Sequence, residues 1–181
     1  LNQEKAVLDQ LKRGSRPEEI AVKEAEVSKA KEDLVSVYDG INDALDSAFV
    51  KSEDAVRIQT SAMFNGTTII GYKLSFLSCD TQTEELVKNL YAKSETSLAK
   101  WRGELAVMQV NSSDALKEES LRSGVEYVLT YRNLLRGLSS LLNQQCALSN
   151  SDLDSYRSIV SAANTNITGA LSSLSEKLSS I

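Results

Sequence analysis

The stretch NSDLDSYRSIVSAANTNITGALSSLSEKLSSI (residues 150–181) decides the fold. Its apolar residues fall at Tyr156, Val160, Ala163, Ile167, Ala170, Leu174, Leu178 and Ile181. These steps of four and three line one face of an α-helix, and the every-second-residue alternation of a half-buried strand is missing. A helix striped in this way hides its apolar edge by lying against other helices.

The same spacing recurs toward the N-terminus almost without a break as far as Val27. Leu121, Val125, Val128, Leu135, Leu138 and Leu142 make one stripe, and Leu86, Leu90, Ser97, Trp101, Leu105 and Met108 another. Before these come Ala55, Ile58, Ala62, Asn65, Ile69, Tyr72, Phe76 and Cys79, and before those Val27, Ala30, Leu34, Val37, Ile41, Leu45 and Ala48. A short amphipathic stretch, Asn2 to Arg13 with Val7, Leu8 and Leu11 on one side, ends at Gly14.

Short polar segments between the stripes carry helix-start signals. Ser15-Arg16-Pro17-Glu18 and Thr81-Gln82-Thr83-Glu84 read as capping boxes, in which the hydroxyl accepts a backbone N–H and the glutamate reaches back. Ser52-Glu53-Asp54, Asn111-Ser112-Ser113-Asp114 and Ser149-Asn150-Ser151-Asp152 place caps and acids where the helix dipole favours them. Connectors this short reverse each helix against the one before it.

The expected fold is all-α, an elongated antiparallel up-down helical bundle of four long helices plus a short N-terminal helix, with coiled-coil-like packing. One domain spans 1–181, with 1–14 a short helix that need not join the bundle. An extended antiparallel coiled coil of three helices would use the same pattern. The reading puts Ile41, Ile69, Leu135 and Leu174 out of water.

Composition agrees. With 181 residues, 41% of them hydrophobic, there is material for one sizeable core, while one proline, eight glycines and 6% aromatics suit a sheet protein poorly. A net charge of -5 and a pI near 4.9 repel phosphate backbones, so no nucleic-acid partner is expected. The greasiest segment, 63–79, contains Asn65, Gly66, two threonines and Lys73, too polar for a membrane-spanning segment. The chain opens at Leu1 without a signal-peptide layout, and its stripe runs on to Ile181 without a C-cap glycine. We therefore expect a processed protein or an excised ectodomain whose polypeptide continues.

The absence of histidine removes the usual neutral-pH general base and the commonest transition-metal ligand. Carboxylates such as Glu24, Glu26, Glu32 and Asp33 interleave with Lys23, Lys29 and Lys31, the pattern of a solvated helix face rather than of an acid-base pair. The eight glycines are scattered, so no phosphate loop forms. We expect no enzymatic activity, no catalytic residues, no cofactor and no metal.

Cys79 and Cys146 carry the sharpest signal. In an up-down bundle they fall near the ends of two helices pointing the same way, and a disulfide there closes a long loop worth about 4 kcal/mol. The alternative is two buried thiols acting as small core residues. Asn65-Gly66-Thr67, Asn111-Ser112-Ser113 and Asn166-Ile167-Thr168 match the glycosylation sequon, although such matches also arise by chance in a serine-rich chain. Of the three candidates, Asn111 falls in an expected loop, Asn65 on a core stripe and Asn166 beside inward Ile167, so Asn111 is favoured.

Trp101 reads as core. Tyr91, Tyr127 and Tyr131 read as core or as a marginal cluster marking a partner site. The serine-rich segment 147–181 reads as the last bundle helix, or as an amphipathic helix that opens to meet lipid. The function expected from all this is a non-enzymatic extracellular or cell-surface glycoprotein acting by protein-protein contact: a surface antigen, receptor ectodomain or secreted host-interaction factor. The alternatives are a carrier of lipid or another apolar ligand between helices, and a bacterial or intracellular sensor bundle.

Overall fold

A computed structural model of the chain describes residues 3–5, 16–67, 69–111, 113–144, 146 and 148–181. Of the short N-terminal helix expected over 1–14, residues 3–5 are helical, whereas Val7, Leu8, Leu11 and Gly14 lie outside the described residues, as does Ser15 of the first capping box.

Four long helices account for most of the structure: α1 (Pro17–Glu53), α2 (Thr81–Val110), α3 (Asp114–Asn143) and α4 (Asn150–Ser179). The all-α class is therefore correct. The chain forms two compact units, Leu1–Val37 and Tyr38–Ile181. Within the first, α1 starts at Pro17, and the Arg16 N–H donates to the Glu19 carboxylate at 3.3 Å, one position later than the box expected at Glu18. Ile20, Val27 and Leu34 are about half exposed there. Helical spacing was read correctly, but spacing names a face and not its cover.

The second unit is the bundle. α2 lies along α3, and α3 along α4. α1 crosses them in order: Tyr38 donates to Glu118 at the start of α3, Lys177 of α4 approaches Gly40, and Phe49 meets the Trp101 ring edge-on at 5.5 Å. Residue numbers on α2 and α4 fall as those on α1 rise, so α1 is antiparallel to both and parallel to α3. The helices converge on Gly124, where an added Cβ would stand 3.1 Å from Leu45, 3.3 Å from Trp101 and 3.4 Å from Leu174. A side chain at Gly124 would press against Leu45 of α1 and Trp101 of α2 and just touch Leu174 of α4.

Ile41, Leu45, Leu121, Val128, Leu135, Leu138, Ile167 and Leu174 are fully buried, each contributing about 1.5–3 kcal/mol of transfer free energy. On α2 the inward stripe is Val87, Tyr91, Ser94, Leu98, Trp101, Leu105 and Met108, with Ser97 beside it. Leu86, expected inward, is exposed and Leu90 only half-buried. Val87 and Tyr91, not Leu86 and Leu90, continue the four-three steps to Trp101 without a gap.

The stripe from Ala55 to Cys79 does not form a long helix. No new helix begins at Ser52-Glu53-Asp54: α1 runs through a fully buried Ser52 and unwinds in a π-helical turn, Asp54–Gln59, followed by a 3₁₀ turn, Ser61–Met63. A β-hairpin follows, with β1 (Phe64–Thr67) antiparallel to β2 (Gly71–Leu74), pairing Phe64 with Leu74, Asn65 with Lys73, Gly66 with Tyr72 and Thr67 with Gly71. Gly66 (φ 114°) and Gly71 (φ 82°) occupy a backbone region that residues with a Cβ rarely adopt. Between them stands the β-branched run Thr67-Thr68-Ile69-Ile70, a poor helix former. Ile41, Leu135 and Leu174 are 0% exposed, as expected, but Ile69 is 92% exposed.

Candidate functional site

The segment joining α1 to α2 departs from helix and exposes apolar side chains. Its base is tightly held. The inward face of the hairpin sets Phe64 stacked on Tyr91 at 3.8 Å and Tyr72 edge-on to the same ring at 4.7 Å, an arrangement aromatic quadrupoles favour. Burial pushes the Tyr91 phenol up to about 12, with the Glu95 carboxylate adding to the shift. Beyond the strands, Phe76 packs against Tyr156 of α4 at 5.7 Å, and the Ser75 hydroxyl lies 3.3 Å from the Tyr156 phenol.

Before the hairpin, Arg57 on the π-helical turn clamps α1 to α2. Its Nε bonds both Glu95 oxygens at 3.2 and 3.1 Å, and a terminal nitrogen bonds Glu53 at 3.0 Å. Arg102 pairs with the same Glu53. Planar guanidinium matches carboxylate geometry, and such partly shielded networks hold a turn better than isolated surface pairs.

After the hairpin, the chain is stapled. Cys79 and Cys146 form a disulfide with Cα atoms 5.6 Å apart. The pairing is as expected, but its setting differs: Cys79 is exposed just before α2 rather than on an apolar helix stripe, and Cys146 is exposed just after α3. Because α2 and α3 are antiparallel, the start of one and the end of the other are neighbours. Asp80 caps α2, its carboxylate accepting from the N–H groups of Gln82 at 3.1 Å and Thr83 at 3.0 Å, in place of the box expected from Thr81. The Thr83 hydroxyl and N–H hold the Asp80 carboxyl below its ordinary pKa. Ser113 and Ser149 cap α3 and α4 as the sequence indicated.

Above this base the tip stands in solvent. Ile69 and Ile70 are 92% and 76% exposed, and the same connecting segment exposes Ile58 at 68% and Leu77 at 72%. Between positions 55 and 79 the charges are Arg57 and Lys73, with no carboxylate. Ile58 and Ile69, which helical spacing puts in the core, are thus exposed, and Ile70 lies off that stripe. The signal that could have found the tip is the β-branched run flanked by Gly66 and Gly71.

The remaining candidates are dispersed. Asn65, read as core, is exposed on β1; the same hairpin that overturned the helix moved it to the surface. Asn111 is exposed at the C-cap of α2, in a connector as expected, although its Ser112 lies outside the described residues. Asn166 is half-buried on α4, its amide donating to Asp54 at 2.9 Å. Trp101 is fully buried, and so is Tyr131, whose hydroxyl lies 3.1 Å from Ser97 Oγ. Tyr91 is buried as well, and Tyr127 is half-buried and donates to Glu104 at 2.9 Å. The tyrosines thus belong to the core and do not form a surface cluster. α4 packs Val160, Ala163, Ile167, Ala170 and Leu174 inward as the last bundle helix.

Glu24, Glu26, Glu32 and Asp33 are exposed, and Lys23 pairs with Glu26 at 2.6 Å. Among the described residues no cluster of acidic or cysteine side chains is arranged to hold a metal ion, and no helix is long and apolar enough to cross a membrane. No protein-family model, no characterised protein and no solved structure matches the chain.

Proposed function

We propose that the protein is a non-enzymatic extracellular or cell-surface module that works by protein-protein contact, and that the contact is made by the tip of the hairpin between α1 and α2. The observation that carries this reading is the pair Ile69 and Ile70, almost wholly in water on a base packed against two helices and adjoining a disulfide. An isolated exposed isoleucine needs no explanation, but adjacent ones on a well-anchored projection are the composition of a contact surface. A base already packed against α2 and α4 leaves less of the projection to be ordered on binding, which favours affinity. The exposed disulfide supports an oxidising compartment, where such bonds persist.

The test is binding of the fluorescently labelled full chain to intact cells of its source and of any host. Saturable binding that mild surface proteolysis abolishes, and that Ile69→Asp/Ile70→Asp eliminates while the circular dichroism spectrum is unchanged, is the expected result. Binding that survives in the double variant overturns the site. Turnover of a substrate that a single carboxylate substitution abolishes overturns the non-enzymatic reading.

A further inference from the structure

We infer that Asn65, and not Asn166, is an acceptor of an N-linked glycan, and that the glycan covers the outward face of the hairpin. The inference rests on the extracellular reading above. Its grounds are geometric. In a strand, side chains two apart share a face, so Asn65 and Thr67 of Asn65-Gly66-Thr67 project together, with Lys73 opposite Asn65 across the ladder. Phe64, Tyr72 and Leu74 occupy the other face, the one against Tyr91. The acceptor therefore points away from the bundle. Asn65 and Thr67 are both exposed, and among the described residues no hydrogen bond engages the Asn65 amide.

Asn166 offers none of this. On a helix, positions two apart diverge by about 200°, so Asn166 and Thr168 face different ways, and the Asn166 amide nitrogen is already donated to Asp54 at 2.9 Å. A glycan on that nitrogen would break the contact between α4 and the π-helical turn. Asn111 is exposed too, and the hydroxyl of its sequon, Ser113 Oγ, accepts from the Leu116 N–H at 3.3 Å, just as Thr67 Oγ1 accepts from the Ile70 N–H at 3.4 Å. Hydroxyl engagement does not separate these two, and Asn65 is set against Asn166 alone.

The reaction is group transfer from a polyprenyl-diphosphate-linked oligosaccharide. The Asn65 amide nitrogen attacks the anomeric carbon of the reducing-end sugar and a carbon–nitrogen bond forms. The bond from that carbon to the diphosphate oxygen breaks, the polyprenyl diphosphate leaves, and the amide gives up one proton to base. No oxidant or reductant is consumed. The glycan is then carried on the outward face of the hairpin, beside Lys73.

The test is secretion of the full chain from eukaryotic cells behind a heterologous leader, enzymatic deglycosylation in heavy-oxygen water and peptide mapping. The expected result is the isotopic aspartate mark at Asn65, its loss in Thr67→Ala, its retention in Thr67→Ser, which keeps both the sequon and a hydroxyl for the Ile70 N–H, and no mark at Asn166 in the folded fraction. An unmarked Asn65 in the secreted, disulfide-bonded chain overturns the inference, as does a marked Asn166. Because the leader supplies the compartment, neither outcome bears on the contact reading. Reduced Cys79 and Cys146 in protein taken from its own source would instead sink the extracellular reading and leave the acceptor result standing.

Discussion

Two successive segments pack on the same bundle, the first on three helices and the second on two, and solve the same problem differently. From Ile41 to Phe49, α1 covers Trp101, Gly124 and Leu174 with helix; from Phe64 to Phe76, a hairpin and its exit cover Tyr91 and Tyr156. Both carry apolar residues in steps of three and four. The difference is that the first contains Ile41, Ala44, Leu45 and Ala48 without a left-handed glycine inside, whereas the second places Gly66 and Gly71 around a β-branched run. Periodicity sets which residues share a face if the chain is helical, while local backbone preference decides whether it is helical. The helical solution buries its isoleucine, and the hairpin solution lifts two isoleucines into water.

The largest effect falls on the staple that fixes the exit of the hairpin. Replacing both cysteines, Cys79→Ser with Cys146→Ser, opens a link across 67 residues and should lower unfolding stability by about 4 kcal/mol in chain-entropy terms. Equilibrium urea denaturation measures it. A loss under about 1 kcal/mol would show that the base of the hairpin is held by Tyr91, Tyr156 and Arg57 alone.

Next comes the helical side. Ile41→Ala removes a fully buried side chain and should cost about 2–5 kcal/mol, depending on how far the neighbours close the cavity. A smaller cost would mean that α1 is dispensable to the bundle.

On the hairpin side, Gly66→Ala should cost about 1–3 kcal/mol, because its φ of 114° is strained for alanine and the new Cβ collides with the Gly71 carbonyl oxygen. Gly71→Ala meets nothing within 4 Å and carries only the backbone strain of φ 82°. Gly66→Ala should therefore be the more damaging of the two. Equal melting temperatures would remove the argument that glycine imposes the hairpin.

Tyr91 supplies a pH handle on that side. Its phenol is raised from 10.0 to about 12 by burial. The folded state holds the proton more tightly, so the contribution is complete below the unfolded pKa of about 10 and is lost as pH climbs through the folded value. Stability should fall between about pH 10 and pH 12, and Tyr91→Phe should flatten part of that limb. Denaturation at stepped alkaline pH, read beside the ultraviolet signal of tyrosinate, checks it. An unchanged limb in the variant would place the titration elsewhere, for example at Tyr131, which burial also raises.

How much of this was legible follows from the same contrast. The stripes of α3 and α4 read correctly from Leu121 to Leu174 because steps of four and three continue through well-capped helices bounded by Ser113 and Ser149. The disulfide was legible because an up-down order brings Cys79 and Cys146 together even when Cys79 is not on a helix. The hairpin was not, because Ala55, Tyr72 and Phe76 keep helical spacing by coincidence while facing inward from a π-helical turn, a strand and a loop. Asn65 moved from core to surface for that reason alone. Pairing across the ladder is a long-range fact that a local period does not contain.

The smallest stability effect carries the most functional weight. Ile69→Ala alters a side chain that is 92% exposed, and surface substitutions away from special features stay within about 0.5 kcal/mol. Set against Ile41→Ala, the same chemical change at a residue of the same type should differ several-fold in cost, because water already surrounds one side chain and none reaches the other. If Ile69→Ala destabilises as much as Ile41→Ala, the tip is folded onto apolar surface in solution and is not a free projection. If it leaves the melting temperature unchanged yet weakens cell binding, Ile69 stays in water for its partner, since folding gains nothing from exposing it.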